Sequence, residues 1–501
     1  MAGYQRPGVY VSERLLPAAI APVAATTSAG ACVGTFAKGP AGVTLVRNWA
    51  EFNKTFGGYD VANPATFGVA EFFKNGGSEL YVARALHSDA AQATVALKDG
   101  NSATYATVTA VDYGQDGTNL RVTLSLARTV DTVDYYDVLV TRDNGAAADI
   151  QLEQFFAVRF DSTTSSDFAE SVINGISAYI TISVSAYDKT PVVDTPNPLT
   201  GSSLDGTDPN GTDYENALAG FVNIDRELVV FAPEVTNTNA LGETDGAAFL
   251  TVLAEWAETN NQFAVLDVAT SVTTAATAIT AASAYGTTSH AAVYFPGVYI
   301  QDPVGRSTQS LRLVGPAGSV AGLYTRTDSQ VGPFKAPAGL RSSIGTAVAT
   351  QFAFSNADLD LLNSAQTPVN AIRNIPGAGV VVMGARTLLQ DGTANRYINT
   401  RRSLIHLNRE LKRRSEFVLF ENTDSNLWAR VRTALGVFLN DYRNQGGLAG
   451  NTAAEAFYVK CDATNNTAQD VQNGVVNIEV GVALEYPAEF VSIVITQTSN
   501  G

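Results

Sequence analysis

Two rhythms of apolar and polar positions share this chain, and they predict different elements. Residues 22–90 read as α/β. "TTSAGACVGTF" reads as a buried strand, and two short helical patterns follow, each closed by a glycine pair. "NWAEFNKTFGG" offers Asn48 as an N-cap, with Phe52 and Phe56 one helical turn apart. "NPATFGVAEFFKNGG" offers Asn63 as cap, Pro64 at the first helical position and Gly76-Gly77 as the stop. "LYVARAL" then resumes a strand.

From about residue 91 to 205 the rhythm shortens to period two. Segments such as "ATYATVTAV", "LRVTLSLA" and "DYYDVLVTR" alternate with Gly, Asn and Asp turns, predicting an inserted β-rich module that ends in the linker-like "TPNPLTGSSLDGTDPNGTDY". Residues 215–300 return to α/β. "ELVVFAPE", "QFAVLDVA" and "AAVYFPGVYI" are buried-strand runs, with a helix carrying Phe249, Leu250, Leu253 and Trp256 between the first two. Strands alternating with helices favour a mainly parallel sheet. Residues 314–340 read only as a Gly/Pro-rich segment. Beyond them lies "SNLWARVRTALGVFLNDYRNQGG", whose Leu427, Val431, Leu435, Leu439 and Tyr442 form one helical stripe. In "VVNIEVGVALE" the residues Val476, Ile478, Val480, Val482 and Leu484 alternate as in a strand, and "EFVSIVITQ" is a further strand candidate.

A chain of 501 residues exceeds one core and predicts several domains. Its 45% apolar and 16% charged residues fit a folded protein, and its net charge of −16 argues against general nucleic-acid binding, which calls for a positive surface. Cys32 and Cys461 lie in apolar strand-like runs and read as buried thiols. The start "MAGYQRPGVYVSE" lacks the pattern of a secretory signal, and no apolar run reaches the roughly 20 residues that span a bilayer, so synthesis in a cytoplasm without membrane insertion is expected.

Catalytic motifs are hard to find. The sequence has no phosphate loop of the GxxxxGK[ST] form, no HExxH, no GxSxG and no Cys-x-x-Cys. The glycines of "PGAGVVVMGAR" (Gly377, Gly379) precede an apolar strand instead of joining a strand to a helix, which is the wrong order for a dinucleotide site. Asp205, Asp208 and Asp213 miss the spacing of a calcium loop. His87, His290 and His406 are too dispersed for a local metal or triad motif. No enzyme activity, cofactor or metal is expected.

One stretch runs against the acidic balance. "RYINTRRSLIHLNRELKRRSEF" holds seven bases and one acid between Arg396 and Arg414. At roughly 100° per residue, Leu404, Leu407, Leu411 and Val418 share a stripe, while Arg401, Arg402, Arg409, Lys412 and Arg413 spread over about 120° of an adjoining face. A solvated flank, a charged protein partner and a nucleic acid are the alternatives. The absence of aromatic residues among the bases weighs against the last.

Taken in order, several blocks resemble the tail sheath proteins of contractile-tailed phages and related contractile injection machines. They are "RPGVYVSE", "VGTFAKGPAG", "EFNKTFGG", "FFKNGGSELYVARAL", "YGQDGTNLRV" and "GPAGSVAGLYTRTDSQVGPFKAPAG". Closer still are "VNAIRNIPGAGVVVMGARTL", "RYINTRRSLIHLNRELK", "VLFENTDSNLWARVRTALGVFL", "FYVKCD" and "PAEFVSIVI". Together they cover roughly half the chain, and the 91–205 insert carries little family pattern. The resemblance implies a non-enzymatic subunit that polymerises as stacked hexameric rings in a helical sheath around an inner tail tube. That sheath would be metastable when extended and would contract to drive the tube through a target envelope, with baseplate and tail terminator or cap proteins as further partners. The particle would be a phage tail or a cell-borne or released contractile machine. The implied division is a 1–21 N-terminal arm, a middle α/β domain from 22–90 with 206–365, an outer β-rich domain at 91–205, and an inner, tube-facing domain at 366–501. Terminal arms would add strands to neighbouring subunits through Gly8, Val9, Tyr10 and Val11, and through Phe490, Val491, Ile493 and Ile495. The basic helix would then face the tube or a neighbour. A tube or baseplate component is the nearest alternative. A carbohydrate-binding adhesin, suggested only by the Thr-rich insert and Tyr135-Tyr136, is more distant.

Overall fold

Strands that are dry on both faces lose the polar alternation of a half-exposed sheet. Four runs are buried at every position: Ala29–Gly34, Leu228–Phe231, Phe263–Asp267 and Ala291–Phe295. The computed structural model, which describes residues 28–145, 147–201, 208–305 and 310–489, lays them side by side in one eight-stranded sheet. The order across it is Gly379–Val382, Val369–Ile375, Ala291–Phe295, Phe263–Asp267, Leu228–Phe231, Ala29–Gly34, Leu80–Arg84, Thr44–Val46. The inner pairings are parallel, with Ala31 opposite Val230 on one side and Tyr81 on the other, and an antiparallel strand closes each edge. The sheet therefore runs on to Val382, so the boundary expected at 366 falls inside it.

Alternate residues of these strands feed two cores. Cys32, Val229, Phe231, Phe263, Val265 and Tyr294 face the helices Ala65–Lys74 and Ala317–Gln330. Ala31, Val230, Ala264, Leu266 and Val293 face Gly211–Ala219, Gly242–Thr259 and Ala275–Ser283. Helix starts follow local chemistry. Asn48 Oδ1 accepts from the Glu51 N–H at 2.8 Å and caps Trp49–Phe56 as expected. For Ala65–Lys74 the cap is Pro64, one residue later than expected, and the Asn63 amide donates to Asp60 at 2.7 Å.

The Gly/Pro-rich segment hides a buried helix, Ala317–Gln330. Its glycines are not loop residues. A Cβ at Gly318 would lie 2.1 Å from the Gly68 carbonyl oxygen, and one at Gly322 2.2 Å from that of Phe72. Two helices thus touch backbone to backbone, which no side chain permits. Gly318→Ala should accordingly destabilise the chain by about 1–3 kcal/mol through overpacking, visible as a lowered urea midpoint, whereas Gly42→Ala, with open space around it, should not.

Residues 92–200 build a core of their own, including Tyr105, Val108, Val122, Val138 and Phe160. It lies between a three-stranded sheet (Gln92–Lys98, Thr104–Tyr113, Ile180–Val184) and a four-stranded one whose longest members are Leu120–Val130 and Val133–Arg142. Arg84 ties it to the main sheet, donating to the Gly39 and Tyr113 carbonyls at 3.0 and 2.9 Å.

The C-terminal region packs the helices Ile398–Ser415 and Ser425–Asn444 against a two-stranded sheet, Phe457–Lys460 with Glu479–Val482. Leu427, Val431, Leu435, Leu439 and Tyr442 are all buried, as their spacing predicts. The alternating run from Val476 to Leu484 is only partly a strand. The Asn466 carboxamide accepts the Asn477 N–H at 2.6 Å, and Asn465 and Asn466 donate to the Asn477 carbonyl, so backbone groups that would pair in a ladder are taken. Both expected arm segments, Gly8–Val11 and Phe490–Ile495, lie outside the described residues.

Candidate functional site

The basic helix Ile398–Ser415 turns much of its charged side inward. Arg402, expected on an accessible face, is 4% exposed. Its guanidinium donates to both oxygens of Asp328, one of them at 2.8 Å, and sits 4.7 Å over the Tyr324 ring. Ser28 donates to the same carboxylate. Burial alone would depress the Arg402 pKa, but the Asp328 carboxylate outweighs it and holds the guanidinium above its ordinary value. One turn on, His406 meets Glu227 at 2.6 Å and stacks on Tyr442. Burial opposes its charge, yet Glu227 raises its pKa. Next, Arg409 donates to Asp225 at 2.6 Å, an acid 96% exposed. The partner acids belong to the sheet side of the molecule, 74, 179 and 184 residues away in sequence. A count of acids along the helix could not find them.

What remains for a partner is smaller than expected. Arg401 is half-buried near His290, and burial lowers its pKa with Glu258 partly offsetting. Lys412 is exposed, and Arg413 and Arg414 share the buried Glu410 at 2.9 and 3.2 Å. Positive charge at the surface is thus gathered in the last helical turn, where the helix dipole favours it.

A groove of about 720 Å³ opens beside the sheet-edge hairpin, between it and the segment Glu485–Glu489. Arg386, 7% exposed, holds the last described residue there, donating to the two Glu489 oxygens at 3.1 and 2.7 Å and to the Asn363 carbonyl. Asn399 donates to the Glu485 carbonyl and Tyr397 meets Tyr486 edge to face, so this segment is fixed along its length.

Parallel sheets bind ligands outside the carboxyl ends of their strands. In this chain that region, at the start of Ala317–Gln330, holds two of the chain's own carboxylates. Glu234 accepts the Gly315 N–H at 2.5 Å, and Asp267 ends its strand beside the same glycine. Neither acid was singled out from sequence; only their positions after apolar strands could have drawn attention. Of the weaker sequence candidates, Asp213 completes the capping box of Gly211–Ala219 and Gly377–Gly379 form a hairpin turn, while Asp205 lies outside the described residues. Cys32 and Cys461 are buried free thiols. His290 is buried, and desolvation pushes its pKa down to about 4. Tyr136 is 4% exposed and Tyr135 lies under Arg128 and Arg159, so neither ring is presented as a sugar platform. Among the described residues no helix is long and apolar enough to cross a membrane.

Residues 390–498 match the family described as "Phage tail sheath C-terminal domain". A tail sheath protein of Vibrio phage KVP40 is 30% identical over 156 residues, which is 31% of this chain and 22% of that protein, so the chain spans about a fifth of the length of this curated relative. Two solved structures share the fold. The helical sheath of the anti-feeding prophage in its contracted state has TM-score 0.60 and 20% identity over 98% of this chain and 99% of that one. A sheath tail protein from Listeria innocua has TM-score 0.64 and 13% identity over 92% and 96%. Resemblance to tail sheath proteins thus holds in sequence over the C-terminal region and in fold over nearly the whole chain.

Proposed function

We propose that this chain, with its phage tail sheath C-terminal domain and the fold of sheath subunits throughout, is the structural subunit of a contractile sheath in a phage tail or injection particle. The observation that carries the reading is the coincidence of the two likenesses, one in sequence at residues 390–498 and one in fold across the chain. In this reading the subunits stack as hexameric rings around an inner tube, hold an extended metastable state and shorten on a signal from a baseplate, with a terminator capping the far end. The terminal arms add strands to neighbours. A sheet of only two strands, such as Phe457–Lys460 with Glu479–Val482, gains most from such additions. Sedimentation of the purified chain at rising concentration tests the reading: an ordered polymer supports it, and a persistent monomer contradicts it.

The last turn of the basic helix is the grip on tube or neighbour in this proposal. Screened charges suit a contact that must hold and later release. Reversing Lys412 and Arg413 to Glu should weaken assembly on tubes severalfold, more at low salt than at high, measured by co-pelleting. Equal assembly at every salt concentration would return the turn to a merely solvated role.

A further inference from the structure

Helix Ala317–Gln330 begins against two carboxylates where its positive end can comfortably hold one. Glu234 and Asp267 are 7% and 5% exposed. A Cβ on Gly315 would stand 2.4 Å from Asp267 Oδ2 and 3.3 Å from Glu234 Oε1, so the two groups flank one methyl-sized position. Glu234 accepts the Gly315 N–H, whereas among the described residues both Asp267 carboxylate oxygens are buried without a close hydrogen-bond partner, and the neighbouring Ala317 N–H offsets their burial only in part. Two buried anions this close cannot both stay charged without a counter-ion. The other groups facing them offer little. Arg312 acts on Glu234 but is tied to Asp302, Asn237 hydrogen-bonds Glu234, and Tyr285 donates its hydroxyl to the Asp267 backbone carbonyl.

We propose that Glu234 and Asp267 share one proton in the folded chain and thereby make the seating of the helix Ala317–Gln330 dependent on pH. A proton kept by the pair removes the repulsion between two buried anions. The same helix carries Asp328 near its other end, so the seating bears on the Arg402 pair that docks the basic helix.

The direction follows from linkage. Burial raises Glu234 to about 7, and burial with the neighbouring Glu234 raises Asp267 well above the usual carboxylate range. Folded-state values above the unfolded ones mean that this stability is complete in acid and is lost as pH rises through the folded values. His406, raised by Glu227, contributes in the same sense, so the test compares variants with the parent chain.

Urea unfolding of the full chain between about pH 6 and pH 9 should show an unfolding constant that grows with pH by up to about tenfold per unit while the folded chain holds a proton that the unfolded chain has lost, and that levels off once the folded chain releases it. Glu234→Gln keeps an acceptor for Gly315 and removes one of the two titrating carboxyls. It should flatten this slope to the part owed to His406. Asp267→Asn should do the same, and the double variant should flatten it no further. Slopes in Glu234→Gln and Asp267→Asn that parallel the parent chain would overturn the proposal. If the variants do not fold, infrared spectra of the parent chain decide: a buried protonated-carboxyl band at neutral pH supports the shared proton, and its absence overturns it.

Discussion

Arg402→Met should cost the folded chain about 3–5 kcal/mol, because it strands the Asp328 carboxylate, 2% exposed, with Ser28 as its remaining hydrogen-bond donor among the described residues. Most of that loss belongs to the abandoned partner, so Arg402→Met combined with Asp328→Leu should recover much of it. Arg409→Met is the natural contrast. Asp225 is 96% exposed and water replaces the arginine, so the change should stay within about 1 kcal/mol. Urea denaturation of the four proteins measures the difference. A small effect of Arg402→Met alone would mean that water reaches Asp328 and that the helix is not docked through this pair.

Deleting residues 1–13 should leave a folded, soluble subunit that no longer polymerises. The proposed arms supply strands to a neighbour's small sheet, so their loss removes the connection between subunits and not the core within one. The eight-stranded sheet begins at Thr44–Val46 on one edge and ends at Gly379–Val382 on the other. Towards the other terminus, Arg386 fixes Glu489, the last described residue. Circular dichroism and gel filtration check folding, and pelleting checks assembly. Polymers formed by the truncated chain would place the connection elsewhere.

The parts legible in the sequence were those fixed by local periodicity. The all-apolar runs gave the inner strands because a strand covered on both faces has nowhere to put a polar side chain. The stripe in Ser425–Asn444 and the cap at Asn48 are decided within one or two helical turns. What could not be read depends on contacts across the chain. Gly318 and Gly322 look like loop residues until the Gly68 and Phe72 backbones are set against them. Arg402 and His406 look like a surface until Asp328 and Glu227 arrive from other elements. A helical wheel records which residues share a face, but whether that face meets water or buried acids is a tertiary fact. The Glu234–Asp267 pair escaped for the same reason: two acids 33 positions apart meet only because adjacent parallel strands end side by side.

If the subunit polymerises into a contractile cylinder, electron microscopy of the purified full chain should show hollow cylinders or stacked rings with sixfold symmetry, in a diameter set by the subunit and not by the buffer. Particles that remain single subunits at every concentration, or that close into compact oligomers with no open helical growth, would contradict it.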